Sequence, residues 1–224
     1  MKKLKYSFIL FLCCILGSQA QTSISRIGIK VLPGFTDRHN PYAGAYEKKI
    51  PRFMVNAGFQ YIHSLYDDGW FLETGLYYTD RGSHYVDVFL TVIPPTLNFT
   101  TPPDLYVHDY YLSLPILIRK ELNNYYRSYF YVSFGPTIDY YLYTKAVWID
   151  KKKIIKKERH SPRVLSYYLR PAIDFNLGAE FKITERAKVF LGGSLHPSSL
   201  VRALPPRYYW NWNYEIEIGM NFSL

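Results

Sequence analysis

The chain has 224 residues, a formal charge of +9, 18% aromatic residues and only two cysteines. That length suits a single domain, and beyond the N-terminus no apolar run approaches the roughly 20 residues of a spanning helix, which excludes an integral helical membrane protein. With 20% charged residues and 23 tyrosines, the composition also excludes a disordered chain.

Residues 1–20 read as a secretory signal. Lys2, Lys3 and Lys5 make a positive start, residues 6–17 an apolar stretch, and Ser18-Gln19-Ala20 a small-x-small cleavage site. Removing the three lysines takes the 27 basic residues to 24 against 18 acidic, so the domain spanning 21–224 carries +6. Cys13 and Cys14 leave with the signal, so no disulfide, thiolate metal site or cysteine nucleophile is expected. Leu12 stands where a lipoprotein signal wants a small residue, which argues against lipid attachment at Cys13.

Eight segments of the remaining chain alternate apolar and polar residues with period two, the signature of strands with one apolar face. Residues 24–32 set Ile27, Ile29 and Val31 against Arg26, Gly28 and Lys30. Residues 52–64 carry Phe53, Val55, Ala57, Phe59 and Tyr61 on one face, and residues 70–79 oppose Leu72, Leu76 and Tyr78 to Glu73 and Gly75. Residues 110–119 and 128–142 follow, the second opposing Phe130, Val132, Phe134, Ile138 and Tyr140 to Ser133, Gly135, Thr137 and Asp139. The strictest run is 169–182, fourteen residues in which Leu169, Ile173, Phe175, Leu177 and Phe181 oppose Arg170, Asp174, Asn176, Glu180 and Lys182. Soluble strands average about 5 to 6 residues, whereas a tilted strand crossing a membrane needs about ten. Residues 187–195 and 213–224 complete the set.

The connections alternate in length. Those at 33–51, 80–109, 143–167 and 196–212 are long; those at 66–69, 121–124 and 184–186 are short. Long loops at one end and tight turns at the other are the layout of an all-β, closed, antiparallel eight-stranded transmembrane barrel with both termini on the turn side. Residues 86–104 are expected to extend strands above the membrane rather than add a hairpin and make ten strands. Doubled aromatics at Tyr77-Tyr78, Tyr110-Tyr111, Tyr140-Tyr141, Tyr167-Tyr168 and Tyr208-Tyr209-Trp210, with Tyr125-Tyr126 at a turn, are expected to form girdles at the two membrane surfaces. A soluble sandwich or lipocalin-like barrel would instead turn the apolar face inward.

Four stretches carry a family resemblance: Ile27-Gly28-Ile29-Lys30, residues 72–82 (LETGLYYTDRG), Tyr111-Leu112-Ser113-Leu114-Pro115-Ile116-Leu117 and Tyr131-Val132-Ser133-Phe134-Gly135-Pro136. In this order they resemble the small outer-membrane barrel proteins of Bacteroidota, called PorT-like or porin-family, related in architecture to the OmpX and OmpA barrels. The resemblance implies an outer-membrane location and this fold, and fixes no ligand or reaction. The chain departs from the usual barrel ending, with Leu224 last and Phe222 two residues earlier.

Polar parity assigns Arg26, Lys30, Arg119, Arg170, Lys182 and Lys188 to the lumen with Glu73, Asp139, Asp174, Glu180, Glu215 and Glu217. An eight-stranded barrel is only just filled by side chains, so these charges are expected to pair as a plug. The alternative is a narrow gated path or a proton-linked site. Between 143 and 167, Lys145, Lys151, Lys152, Lys153, Lys156, Lys157, Arg159 and Arg163 face only Asp150 and Glu158. This basic segment is expected to be a solvated loop beside lipopolysaccharide phosphates, with a specific polyanion or glycan receptor as the alternative. No nucleic-acid module accompanies it.

Barrel lipid A deacylases place a His and a Ser together on a lipid-facing strand, and His196-Pro197-Ser198 offers that spacing. Parity turns His196 inward, Pro197 lacks the backbone donor of a continuing strand, and no acid is evident to orient the imidazole, so no catalysis is expected. The six histidines are scattered without ligand spacing, and neither a metal nor another cofactor is expected. The expected function is therefore that of a monomeric, non-enzymatic outer-membrane barrel. It would be inserted by the barrel assembly machinery, and its outer loops would contact lipopolysaccharide, glycans or partner proteins. The alternatives are a narrow porin for small solutes and, as the resemblance implies, an accessory membrane component of a secretion system.

Overall fold

A computed structural model describes residues 25–39, 48–66, 68–86, 103–125, 128–150, 153–160, 169–202 and 207–224, so the candidate signal at 1–20 lies outside it. Period-two alternation becomes ten strands: β1 (Ser25–His39), β2 (Lys48–Ile50), β3 (Arg52–Tyr66), β4 (Trp70–Val86), β5 (Asp104–Tyr125), β6 (Ser128–Asp150), β7 (Lys153–His160), β8 (Leu169–Lys182), β9 (Ala187–Arg202) and β10 (Arg207–Ser223). Eight of them are staves, joined antiparallel in the order β1, β3, β4, β5, β6, β8, β9, β10. Pairing of β10 with β1, with Ile27 opposite Phe222 and Val31 opposite Ile218, closes the ring and removes the sheet edges.

The eight alternating segments are these eight staves, but the staves stand taller than their apolar parts. β4 runs on to Val86, β5 begins at Asp104, β6 continues to Asp150 and β9 to Arg202. The segments 33–39, 80–86, 104–109, 143–150 and 196–202, read as loop from their polarity, are thus strand. The basic segment is likewise no free loop: β7 pairs along β6 from Thr144 opposite His160 to Asp150 opposite Lys153. Ala146-Val147-Trp148-Ile149 and Ile154-Ile155 supply the β-forming residues that the surrounding lysines obscure. Above the eight staves this side of the wall becomes a sheet ordered β2, β4, β5, β6, β7.

The barrel is inside out relative to a soluble one. Along β8, Leu169, Ile173, Phe175, Leu177 and Phe181 are exposed, while Ala172, Asn176 and Glu180 are buried. Ile27, Ile29, Phe53, Phe59, Leu76, Ile116, Phe134, Leu191, Ile216 and Ile218 continue this exposed apolar belt around the wall. The doubled aromatics are split by the same alternation, which corrects their assignment to girdles as pairs. Tyr77, Tyr111 and Tyr141 are buried in the lumen, whereas Tyr78 and Tyr140 are exposed. Tyr167-Tyr168 lie outside the described residues.

Inward rings need room in a narrow lumen, and glycine provides it. A Cβ at Gly178 would meet the Tyr131 hydroxyl at 2.6 Å, and one at Gly192 would meet it at 2.8 Å. Prolines interrupt the wall where they enter it, because they lack the donor a ladder uses. The β4–β5 ladder skips between Thr74 and Tyr77, facing Pro115, and the β8–β9 ladder skips between Ala172 and Phe175, facing Pro197.

Candidate functional site: the lumen and the upper sheet

The lower lumen, nearest the chain ends and tight turns, is a closed set of ion pairs. Arg26 donates to Glu121 through Nη1 at 2.6 Å and Nη2 at 3.1 Å, and its Nη1 reaches Glu180 at 3.0 Å. Arg119 holds the other oxygen of Glu180 at 2.7 Å and lies 3.4 Å from Glu121 and 3.5 Å from Glu73. Lys30 bridges Glu73 at 2.9 Å and Glu217 at 3.0 Å, and the Tyr131 hydroxyl donates to Glu217 at 2.7 Å. Lys188 approaches Glu180 at 3.7 Å. Four cations thus face four carboxylates, and Arg119 also stacks over Tyr131, 3.8 Å from the ring centre. Taking eight charges out of water is tolerable only because each meets an opposite charge, and Glu217 and Glu180 accept further hydrogen bonds from Tyr131 and Asn221.

The upper lumen is built differently. Arg81 grips Asp139 with both guanidinium nitrogens, Nη2 at 3.0 Å, and Ser113 donates to Asp139 at 2.6 Å. His196 has a carboxylate at each ring nitrogen, Asp174 at Nδ1 and Asp139 at Nε2, the latter at 3.4 Å. Thr137 donates to Asp174, and Asn56 donates to Glu215 at 2.7 Å. Between the two layers lies a cavity of about 40 Å³ bounded by Lys30, Glu73, Glu217, Arg81, Asp174 and His196, room for about three waters.

A seam in the wall adjoins this layer. β3 and β4 pair with Ala57 opposite Tyr78, whereas β2 meets β4 one residue out of step, with Ile50 opposite His84. Between these points side chains replace the ladder. Arg52 donates to Asp80 at 2.6 and 3.1 Å, and the Asp80 N–H donates to the Asn56 side chain at 2.7 Å. Gly82, with φ of +152°, sits in the β4 side of the seam, where a Cβ would meet the Val107 carbonyl at 1.9 Å.

Of the twelve charged residues expected in the lumen, Arg26, Lys30, Glu73, Arg119, Asp139, Asp174, Glu180, Lys188 and Glu217 are joined there by ion pairs. Lys182 is a correction: it pairs with Glu185 at 2.7 Å in the β8–β9 turn, at the mouth of the barrel. Arg170 donates to the Tyr111 hydroxyl and stacks over the Tyr111 and Tyr141 rings, and among the described residues it forms no ion pair with a carboxylate. Glu215 takes the Asn56 amide as its partner. Sequence reading missed Glu121, Arg81 and Asp80, all in segments read as turn or loop, and Arg52, the first residue of a segment read as strand. It also found no acid for His196, because Asp139 and Asp174 reach it from β6 and β8. His196 and Ser198 are both buried inside the barrel, not on its lipid-facing surface. Among the described residues no group of three or more His, Cys, Asp or Glu is arranged to hold a metal ion.

Above the belt, Lys145, Lys156, Lys157 and Arg159 lie on the β6–β7 hairpin, together with the backbone of Lys153; Lys151 and Lys152 lie outside the described residues. Arg159 stands opposite Lys145, with its guanidinium 3.8 Å from the centre of the Tyr143 ring. Tyr143 packs on Tyr110 with ring centres 4.6 Å apart, and Tyr110 on Tyr78 at 5.6 Å, which forms an outer aromatic row at the top of the belt.

A closed antiparallel ring with an apolar exterior and a charged interior has one solvent that suits it, a lipid bilayer. The chain is a transmembrane β-barrel of the outer-membrane type. No family model matches the chain, and no curated protein is similar to it. Among solved structures it is similar to the outer membrane protein OprG from Pseudomonas aeruginosa, at 13% identity over 90% of this chain and 95% of that one, with a TM-score of 0.46. It is also similar to Neisserial surface protein A, at 7% identity over 90% and 99% of the two chains (TM-score 0.45). A third is Ail, the attachment invasion locus protein of Yersinia pestis, at 11% identity over 89% and 99% (TM-score 0.43).

Proposed function

We propose that this barrel sits as a monomer in the outer membrane of a Gram-negative bacterium of the PorT-like Bacteroidota kind. In this reading it is exported by the signal at 1–20, inserted by the barrel assembly machinery, and works without catalysis or cofactor. Its lumen is a plug, and its contacts with lipopolysaccharide, surface glycans or partner proteins are made by the sheet that rises above the membrane. The observation that carries this reading is the lower lumen, where Arg26, Lys30, Arg119 and Lys188 are matched to Glu73, Glu121, Glu180 and Glu217 at 2.6 to 3.7 Å. The cavity above them, about 40 Å³, is itself bounded by charged side chains of both layers, among them Lys30, Glu73, Glu217, Arg81 and Asp174. His196 and Ser198 face this closed interior, away from lipid, which supports a role without catalysis.

Solute entry into proteoliposomes tests the reading. Vesicles carrying the barrel should take up small sugars no faster than protein-free vesicles. Entry at a rate proportional to barrel content would replace this reading with that of a narrow porin.

A further inference from the structure

The β6–β7 hairpin sorts its charges by face. On one face of β7, Lys156 pairs with Glu158 at 2.5 Å. On the other face, Lys157 and Arg159 are exposed, and Arg159 is placed directly opposite Lys145 on β6. Like charges set directly across a strand pair repel. Among the described residues none of these three cations meets a carboxylate, although the neighbouring face of the same strand is compensated. The register identifies the uncompensated face as the outer one. It continues from Tyr143, which stacks with Tyr110 and so with Tyr78, the exposed ring at the upper end of the apolar belt.

Three cations therefore lie just above an interfacial tyrosine row, and they look outward along the membrane surface rather than upward into solvent. We propose that Lys145, Lys157 and Arg159 form a binding face for the phosphates of a glycolipid in the surrounding outer leaflet. The glycolipid's acyl chains would lie against the belt beneath Tyr78 and Tyr110. Tyr143 supports this arrangement by holding the Arg159 guanidinium over its ring, 3.8 Å from the ring centre, which limits the freedom lost on binding. The inference rests on the reading that the protein is an outer-membrane barrel whose upper sheet makes its contacts, and it names the partner and the face.

The test is retention of labelled lipid A by the purified full-length barrel in detergent. Three probes are compared: bisphosphorylated lipid A, the same lipid stripped of phosphate, and inorganic polyphosphate. The bisphosphorylated lipid should bind about a hundredfold more tightly than the stripped one, at about fivefold per cation. The combined variant Lys145→Gln, Lys157→Gln, Arg159→Gln should lose that difference, and Lys156→Gln on the opposite face should keep it. Heat-dependent gel migration checks that each variant is folded. Equal retention of the two lipids, or an unchanged triple variant, would overturn the inference. So would polyphosphate binding as tightly as lipid A with the same residue dependence, which would assign the face to a soluble polyanion. Solute entry through the barrel would sink the sealed-lumen reading without altering this result.

Discussion

Arg119 and Glu180 meet at 2.7 Å in the lower lumen, from staves β5 and β8, with both side chains sealed from solvent. Glu180 also accepts from Arg26 and from Asn221, so this carboxylate ties together four staves that are distant in the chain. Its removal leaves two guanidinium groups short of a partner in a space water cannot reach. Glu180→Leu should destabilise the folded barrel by about 3 to 5 kcal/mol. Pairing it with Arg119→Met should recover part of that loss. A urea titration followed by gel migration measures both, and a double variant as unstable as the sum of its parts would mean that the two side chains do not act as a pair.

The lipid-facing parity is tested at Phe175, which is exposed near the middle of β8 and packs its ring 4.5 Å from that of Phe134. Phe175→Arg should cost about 2 to 4 kcal/mol and reduce assembly. Asn176→Ser, one residue along and inside, should cost about 1 kcal/mol for its lost hydrogen bonds to Ser133 and Ser194. Equal yields of folded barrel from the two variants would reverse the assignment of the faces.

Gly178 gives a third prediction. A methyl group there meets the Tyr131 hydroxyl at 2.6 Å and the Leu191 carbonyl at the same distance. Tyr131 cannot move away without releasing its hydrogen bond to Glu217. Gly178→Ala should therefore destabilise the barrel by about 1 to 3 kcal/mol, read from the midpoint of thermal unfolding. Gly193→Ala, where the nearest atom to a new Cβ is 3.9 Å away, should leave the midpoint unchanged.

The hairpin is expected to be dispensable for folding. β7 has β6 as its pairing partner and takes no place in the ring of eight. Deleting residues 151–157 should leave heat-dependent migration and circular dichroism intact. A misfolded product would show that the hairpin supports the wall.

The staves were legible because period two survives wherever one face meets lipid and the other meets the lumen, as from Leu169 to Lys182. Their upper ends were not legible, because above the belt the outer face no longer meets lipid and the strict apolar–polar alternation is lost; residues 80–86 and 143–150 therefore read as loop. That error passed directly into the site. Arg81, two residues beyond the alternating segment of its stave, holds Asp139, and Glu121, at the lower end of β5, holds Arg26. Parity places a residue inside but not at a height, which is why Lys182, whose ion pair is with Glu185 in the turn, was grouped with the lumen charges. The acids at His196 were hidden for a related reason: Asp139 lies 57 residues away and Asp174 lies 22 away, and only barrel closure brings them together.

Single-channel recording of the refolded barrel in a planar bilayer is the most direct test of the sealed lumen, with heat-dependent gel migration verifying that the protein is folded. The paired charges around Lys30, Arg119 and Glu180 predict a folded barrel that is electrically silent across the voltage range the membrane withstands. Reproducible current steps from the same folded protein would contradict it, because they would mean that these charges line a path rather than fill it.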